Sequence, residues 1–155
     1  MINMEPSETE DDIFRSSMAN ACALPFADNS FDLVHSNSVV EHVGTWRNMK
    51  AFASEVRRLA PSYYVQTPNF WFPIEPHYGV PLVHWLPQQM RASLLTRVGL
   101  GRFSRAPDID LAMEIVQDQE LLTRRQFQLL FPEAELKIER LAGFPKSLIA
   151  VRSGI

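Results

Sequence analysis

The sequence holds a single cysteine, Cys22. No internal disulfide and no multi-cysteine metal centre can form. Nothing marks that thiol as activated, so it reads as a small packed residue. No glycine occurs before Gly44, and the later Gly99-Leu100-Gly101 follows a helical pattern rather than a strand. Ser104 stands where a third glycine of a dinucleotide fingerprint would be, so this pair reads as a helix stop. There is no apolar run of about 18 residues, which excludes a spanning helix. Positive charge is not in excess: 15 Lys and Arg face 18 Asp and Glu, a net charge of −3. Nucleic acid therefore gains no general attraction. The opening stretch is acidic and lacks the apolar segment of a secretory signal. These absences predict a cytoplasmic protein that acts on neither membranes nor nucleic acid. The nucleophile elbow Gly-x-Ser-x-Gly is also missing, so Ser36 or Ser38 with His42 is not a hydrolase pair.

What is present suits one domain. The chain has 155 residues, 46% hydrophobic and 21% charged, enough to bury a core. Residues 1–12 carry Glu5, Glu8, Glu10, Asp11 and Asp12 and read as a solvated, flexible terminus. Phe31–Ser36 reads as a strand after the turn Asp28-Asn29-Ser30, with apolar residues suited to burial on both faces. Trp46, Met49, Phe52, Ala53, Val56, Leu59 and Ala60 make one apolar stripe of a helix over 46–60. Thr45 is its cap and Pro61 its stop, and Arg57-Arg58 reads as a solvated face. Tyr63–Thr67 follows as a second strand. Residues 31–67 thus have the order and length of one right-handed βαβ unit. Residues 68–87 hold five prolines, too many for regular structure throughout. Helices are expected near 88–98 and 109–117. Thr123 and Gln126 fit a capping box. Glu135–Leu141 and Ser147–Arg152 read as an antiparallel hairpin with a loop of about five residues.

The stretch Ala19–Val43 carries a resemblance. Leu24-Pro25-Phe26, Asp28-Asn29-Ser30, Phe31-Asp32-Leu33-Val34 and Glu41-His42-Val43 stand in the order and spacing of a class I S-adenosylmethionine-dependent methyltransferase of the small-molecule type 11 group. The resemblance implies an α/β fold, a partial Rossmann-like sheet equivalent to the family's strands three to seven, closed by a C-terminal antiparallel hairpin. It implies one domain over 13–155, with 68–120 as a substrate cover. It also implies methyl transfer from S-adenosylmethionine to a small-molecule or glycan-like acceptor. By that resemblance, Asn20, Ala21 and Leu24 lie on the adenine side of the cofactor. Ser36, Asn37 and Ser38 lie on its methionine side, at the carboxyl edge of the sheet where open α/β sheets bind ligands. Glu41, His42 and His77 are the candidates for a catalytic base. Glu75 and Trp71 are candidates for the acceptor pocket.

The sequence departs from the family at its start. The family's Gly-rich turn, which holds the carboxypropyl end of the cofactor, has no counterpart before Gly44, and the ribose-gripping acid is absent as well. The chain alone is therefore expected to bind the cofactor weakly or not at all. The other reading is a truncated, non-catalytic remnant or a module completed by a partner. Loss of a neighbouring strand would bare one edge of Phe31–Ser36, which lacks the proline and lysine that often protect edges. Self-association through that edge is expected. Glu75, His77 and His84 have spacings that fit no helical metal-ligand pattern, so no metal is expected there.

Overall fold

The computed structural model describes residues 2–3 and 17–154. Most of the segment expected to be a flexible terminus lies outside the described residues. Two short strands, β1 (Ile2–Asn3) and β2 (Ser17–Met18), pair in parallel. The main unit begins with β3 (Leu33–Asn37), a single 3₁₀ turn (Val40–His42), α1 (Trp46–Leu59) and β4 (Ser62–Pro68). Next come a small hairpin, β5 (Ile74–Glu75) and β6 (Val80–Pro81), and then α2 (Gln88–Arg97) and α3 (Ile109–Gln117). The chain closes with α4 (Arg124–Leu130), β7 (Glu135–Leu141) and β8 (Phe144–Arg152).

The four-stranded sheet runs β3-β4-β8-β7. β3 and β4 are parallel, with Leu33 opposite Ser62 and Asn37 opposite Gln66. β8 lies antiparallel to both β4 and β7. This is the expected α/β sheet with its C-terminal hairpin, and residues 33–68 are the expected strand–helix–strand unit.

Helix α1 forms where its stripe and cap place it. The Thr45 Oγ1 accepts from the Asn48 amide at 3.3 Å. Met49, Phe52, Ala53, Val56 and Leu59 are buried on one face. All but Leu59 pack with Tyr63, Val65, Phe127, Leu130, Phe131, Leu148 and Ala150 into one core beneath the sheet. The capping box at Thr123 and Gln126 is present and starts α4, which buries Phe127 and Leu130. Helices α2 and α3 build a smaller core of their own from Ala92, Leu95, Ala106, Ala112 and Val116.

Three sequence expectations are corrected. First, β3 is not buried on both faces: Val34 and Ser36 point inward, but Leu33 is 56% exposed and Phe31 41%. The reason is positional. The main core packs on the Val34 face only, and among the described residues β3 has a strand on one side only, so its Leu33 face lies open and the run sits at an edge. Second, the C-terminal hairpin turns on two residues rather than five. Ala142 and Gly143 both take positive φ, 49° and 85°, the pair of left-handed positions that suits the twist of adjacent strands. A register shift at Glu139/Arg140 accommodates the longer β8, including Pro145.

Third, Arg58 is not a solvated charge. Its guanidinium donates to the carbonyls of Phe26 (2.7 Å) and Leu24 (3.2 Å) and to Asp28 (2.9 Å). It also makes a two-nitrogen contact with Glu55, both bonds 2.8 Å. Glu55 in turn accepts from the Leu24 amide at 2.8 Å. The pair fastens the Leu24–Asp28 turn to α1. The Arg58 guanidinium holds the Glu55 carboxyl below its ordinary value, against a smaller opposing effect of burial. A carboxyl depressed in the folded state stabilises above its unfolded pKa of about 4.3 and loses that contribution as pH falls. We expect Glu55→Gln to lower stability near neutral pH and to flatten the decline of stability below about pH 4–5. Chemical denaturation across the acid range checks this, and parallel wild-type and variant curves would contradict it.

Candidate functional site

The loop leaving β3 is locked onto the end of β4. Ser38 takes a left-handed φ of 54°. Its amide donates to the Gln66 carbonyl at 3.0 Å, and its hydroxyl to the Gln66 Oε1 at 3.1 Å. The 3₁₀ turn that follows buries Val40 and Glu41 completely. The Thr67 hydroxyl, buried at the carboxyl end of β4, donates to the Glu41 Oε2 at 2.9 Å. The other oxygen, Oε1, is buried with no hydrogen-bond partner. Burial pushes the Glu41 carboxyl above its ordinary value, and the Thr67 hydrogen bond offsets part of that rise.

His42 and His77 meet beside it. Their Nε2 atoms are 3.1 Å apart, and the rings contact edge to face at 4.7 Å. The His42 Nδ1 is 2.9 Å from the Asp118 carbonyl and 3.5 Å from the Asp118 carboxylate. The His77 Nδ1 is 2.6 Å from the Glu75 Oε1. Glu75 is itself buried on β5, and its Oε2 accepts from the Tyr78 amide at 2.5 Å. Burial pulls the His77 ring down, but the hydrogen bond and charge of Glu75 outweigh it, and the ring lies above its ordinary value.

Four candidates separated in sequence, Glu41, His42, Glu75 and His77, therefore form one cluster at the carboxyl end of β3 and β4. Trp71 is placed differently. It is 57% exposed, and its ring contacts are with Phe70 and Trp85. Beside them the buried His84 has its Nε2 2.8 Å from the Phe70 carbonyl. Two members of the cluster were not singled out from sequence. Thr67 ends a recognisable strand, and that position alone could have flagged it. Asp118 lies 76 positions from His42, and no local pattern links the two.

The residues on the expected cofactor side are accessible in part. Asn20 follows β2 and is exposed, with its Oδ1 accepting from the Cys22 amide at 2.9 Å. A second lone pair and two amide protons remain for a ligand. Ala21 packs against the core. Leu24 is held by the Glu55 bond described above. Asn37 is exposed, while Ser36 is buried with a hydroxyl that has no partner. An unpaired buried hydroxyl and a free amide edge fit the polar rim of a nucleoside cofactor. A cleft of about 390 Å³ lies elsewhere, lined by Gly44, Thr45, Trp46, Met49, Gln88 and Glu120 among others.

The methyltransferase-domain family matches residues 2–62. No curated protein matches the chain. Among solved structures, the geranyl diphosphate C-methyltransferase from Streptomyces coelicolor A3(2) is 12% identical with a TM-score of 0.51, covering 91% of this chain and 54% of that one. A structure from Rhodobacter sphaeroides, described as a putative Zn-dependent alcohol dehydrogenase, is 9% identical with a TM-score of 0.54, covering 90% and 65%. A SAM-dependent methyltransferase from Methanosarcina mazei is 15% identical with a TM-score of 0.49, covering 88% and 66%. At such identities the likeness is one of fold. The chain spans less than two thirds of the length of each of these structures. Among the described residues no helix is long and apolar enough to cross a membrane. The methyltransferase-domain family is thus matched over residues 2–62, and the order of the four-stranded sheet fits a partial class I methyltransferase fold.

Proposed function

We propose that the chain takes part in methyl transfer from S-adenosylmethionine to a hydroxyl of a small-molecule or glycan-like acceptor, with His77 as the base. The observation that supports this reading is the Glu41–His42–Glu75–His77 cluster at the carboxyl end of the parallel strands. S-adenosylmethionine, when bound, supplies a methyl group on a sulfonium sulfur. Asn20, Ala21 and Leu24 would hold its adenine side, and Ser36, Asn37 and Ser38 its methionine side. The chain's own work is positioning, which in general supplies roughly 7–11 kcal/mol of a barrier, and removal of the acceptor's proton. Glu75 holds the proton on His77 Nδ1 and leaves the Nε2 lone pair to accept. The same carboxylate then stabilises the imidazolium that forms. The exposed Trp71, with Trp85, offers a face on which an acceptor ring can stack.

The family match begins at residue 2, and β1 runs parallel to β2 as neighbouring strands of a doubly wound sheet do. On this reading β1 ends the family's second strand. Glu5, two positions beyond it and outside the described residues, is then the acid for the ribose hydroxyls. The order Ile2-Asn3-Met4-Glu5-Pro6-Ser7 was the signal for it. The edge of β3 that has no neighbouring strand among the described residues further supports pairing with a second copy of the chain. An unfolding midpoint that rises with protein concentration is the expected sign. A single-chain mass by light scattering at every concentration would contradict it.

The base role is tested by methyl incorporation from labelled cofactor into a panel of hydroxylated small molecules and glycans. His77→Gln should lower the rate by about 10²–10⁴, the usual worth of a positioned base. An unchanged rate in a folded variant would remove His77 from the chemistry.

A further inference from the structure

We propose that Glu41, His42 and His77 bind one divalent ion of the zinc class. The His42 Nδ1 faces a backbone carbonyl, that of Asp118, and a carbonyl can only accept. The His77 Nδ1 faces the Glu75 carboxylate, and the other Glu75 oxygen is already taken by the Tyr78 amide. Both rings therefore carry a proton on Nδ1. In their neutral forms both then present a bare lone pair on Nε2. These two lone pairs point at one another across 3.1 Å. That arrangement repels unless a cation lies between them, either one extra proton or a metal ion.

The surroundings favour a metal. Two nitrogens bound to one zinc at about 2.0–2.1 Å in tetrahedral geometry lie roughly 3.3 Å apart, close to the observed separation. The third ligand is in place beside them: the candidate ligand atoms of Glu41, His42 and His77 all lie within 4.8 Å of one another. Glu41 is fully buried, and its Oε1 has no partner. An ion would satisfy that oxygen once the carboxylate turned toward the two rings. The outer contacts match those of built metal sites. Ligating histidines usually donate their other ring N–H to a carboxylate or a backbone carbonyl, which orients the ring. Glu75 does this for His77 and Asp118 for His42, while Thr67 holds the remaining oxygen of Glu41. The Asp118 and Glu75 carboxylates add negative charge around a dication.

Neither sequence spacing nor one helix reveals this set. Glu41 and His42 come from the turn after β3, and His77 comes from the β5–β6 hairpin 35 positions away. His84, the other histidine near His77 in sequence, points instead to the Phe70 carbonyl. Two histidines and one carboxylate leave a fourth position open, as zinc sites that act on substrates do. The use of that position rests on the proposed function. In the ion-loaded chain the acceptor hydroxyl would be the fourth ligand and the ion would lower its pKa; because the ion then occupies the His77 Nε2, the proton would leave to solvent in place of His77. Binding of the ion does not depend on that reading.

The experiment accordingly omits cofactor and acceptor. The full chain is stripped with a chelator and titrated with Co²⁺ and, separately, Zn²⁺. One ion per chain is expected, with the intense visible absorption of a low-coordinate cobalt site. Of the four histidines, the ring resonances of His42 and His77 should move together with added Zn²⁺, while His35 and His84 stay in place. His77→Gln and Glu41→Gln should each weaken binding by at least roughly 10–100-fold, the cost seen even for loss of outer-shell partners. Absence of stoichiometric binding, movement of His35 or His84 instead, or unchanged affinity in both folded variants would overturn the proposal. Should a variant fail to fold, the wild-type histidine resonances decide the matter alone.

Discussion

Phe52→Ala is expected to lower the unfolding free energy by about 3–5 kcal/mol, the usual cost of emptying a buried phenylalanine site. Phe52 is 4% exposed and sits in the centre of the α1 face. The core it belongs to draws on three sources: the helix itself, the sheet residues Tyr63 and Val65, and the α4 residues Phe127 and Phe131. A site bounded by a sheet and two helices cannot collapse to fill the space, so the cavity persists and its cost adds to the lost transfer energy. A loss of this size is a large part of the stability of any domain of this length. Urea denaturation of wild type and variant measures it directly. A change below about 1 kcal/mol, with unaltered dependence on urea, would show that α1 does not pack on the sheet through this residue.

Binding of S-adenosylhomocysteine by the 155-residue chain is expected to be weak, with a dissociation constant in the millimolar range. The reason is the Gly-rich turn, which has no counterpart in this sequence before Gly44. In the family that turn grips the carboxypropyl end of the cofactor through hydrogen bonds to a charged group, each worth roughly 1.5–3 kcal/mol. Two such bonds missing amount to about 3–6 kcal/mol, or about two to four orders of magnitude in affinity. Titration calorimetry checks this. A micromolar constant would mean that residues 17–38, with Glu5, hold the cofactor without the turn.

Much of the fold was legible because it is locally encoded. The α1 stripe, its Thr45 cap and the Thr123–Gln126 capping box all act within one or two turns of chain, and each stands where sequence placed it. The parts that were not legible depend on distant partners. The Phe31–Ser36 run looks like a central strand, and its exposure follows from which strands lie beside it rather than from its own residues. Arg58 looks like any helix-surface charge until the Leu24–Asp28 turn folds back on it. The C-terminal turn is shorter than its sequence suggests because Ala142 with Gly143 already completes it and Pro145 lies in the strand. At the site, the residue types were recognised individually. Their union was hidden, since it needs the 3₁₀ turn after β3, the β5–β6 hairpin and the end of α3 to meet.

The cofactor edge of this chain is expected at the ends of β2 and β3, next to the histidine cluster. Amide resonances followed during titration with S-adenosylhomocysteine to millimolar concentration test it most directly, because they map even weak binding. The largest shifts are expected at Asn20–Cys22 and Ser36–Ser38, with Asn20→Asp preserving or tightening the binding, since a carboxylate accepts more strongly from the adenine amino group. Shifts confined to the cleft around Trp46, Gln88 and Glu120, or no shift at Asn20 and Ser36 at any concentration reached, would contradict the claim.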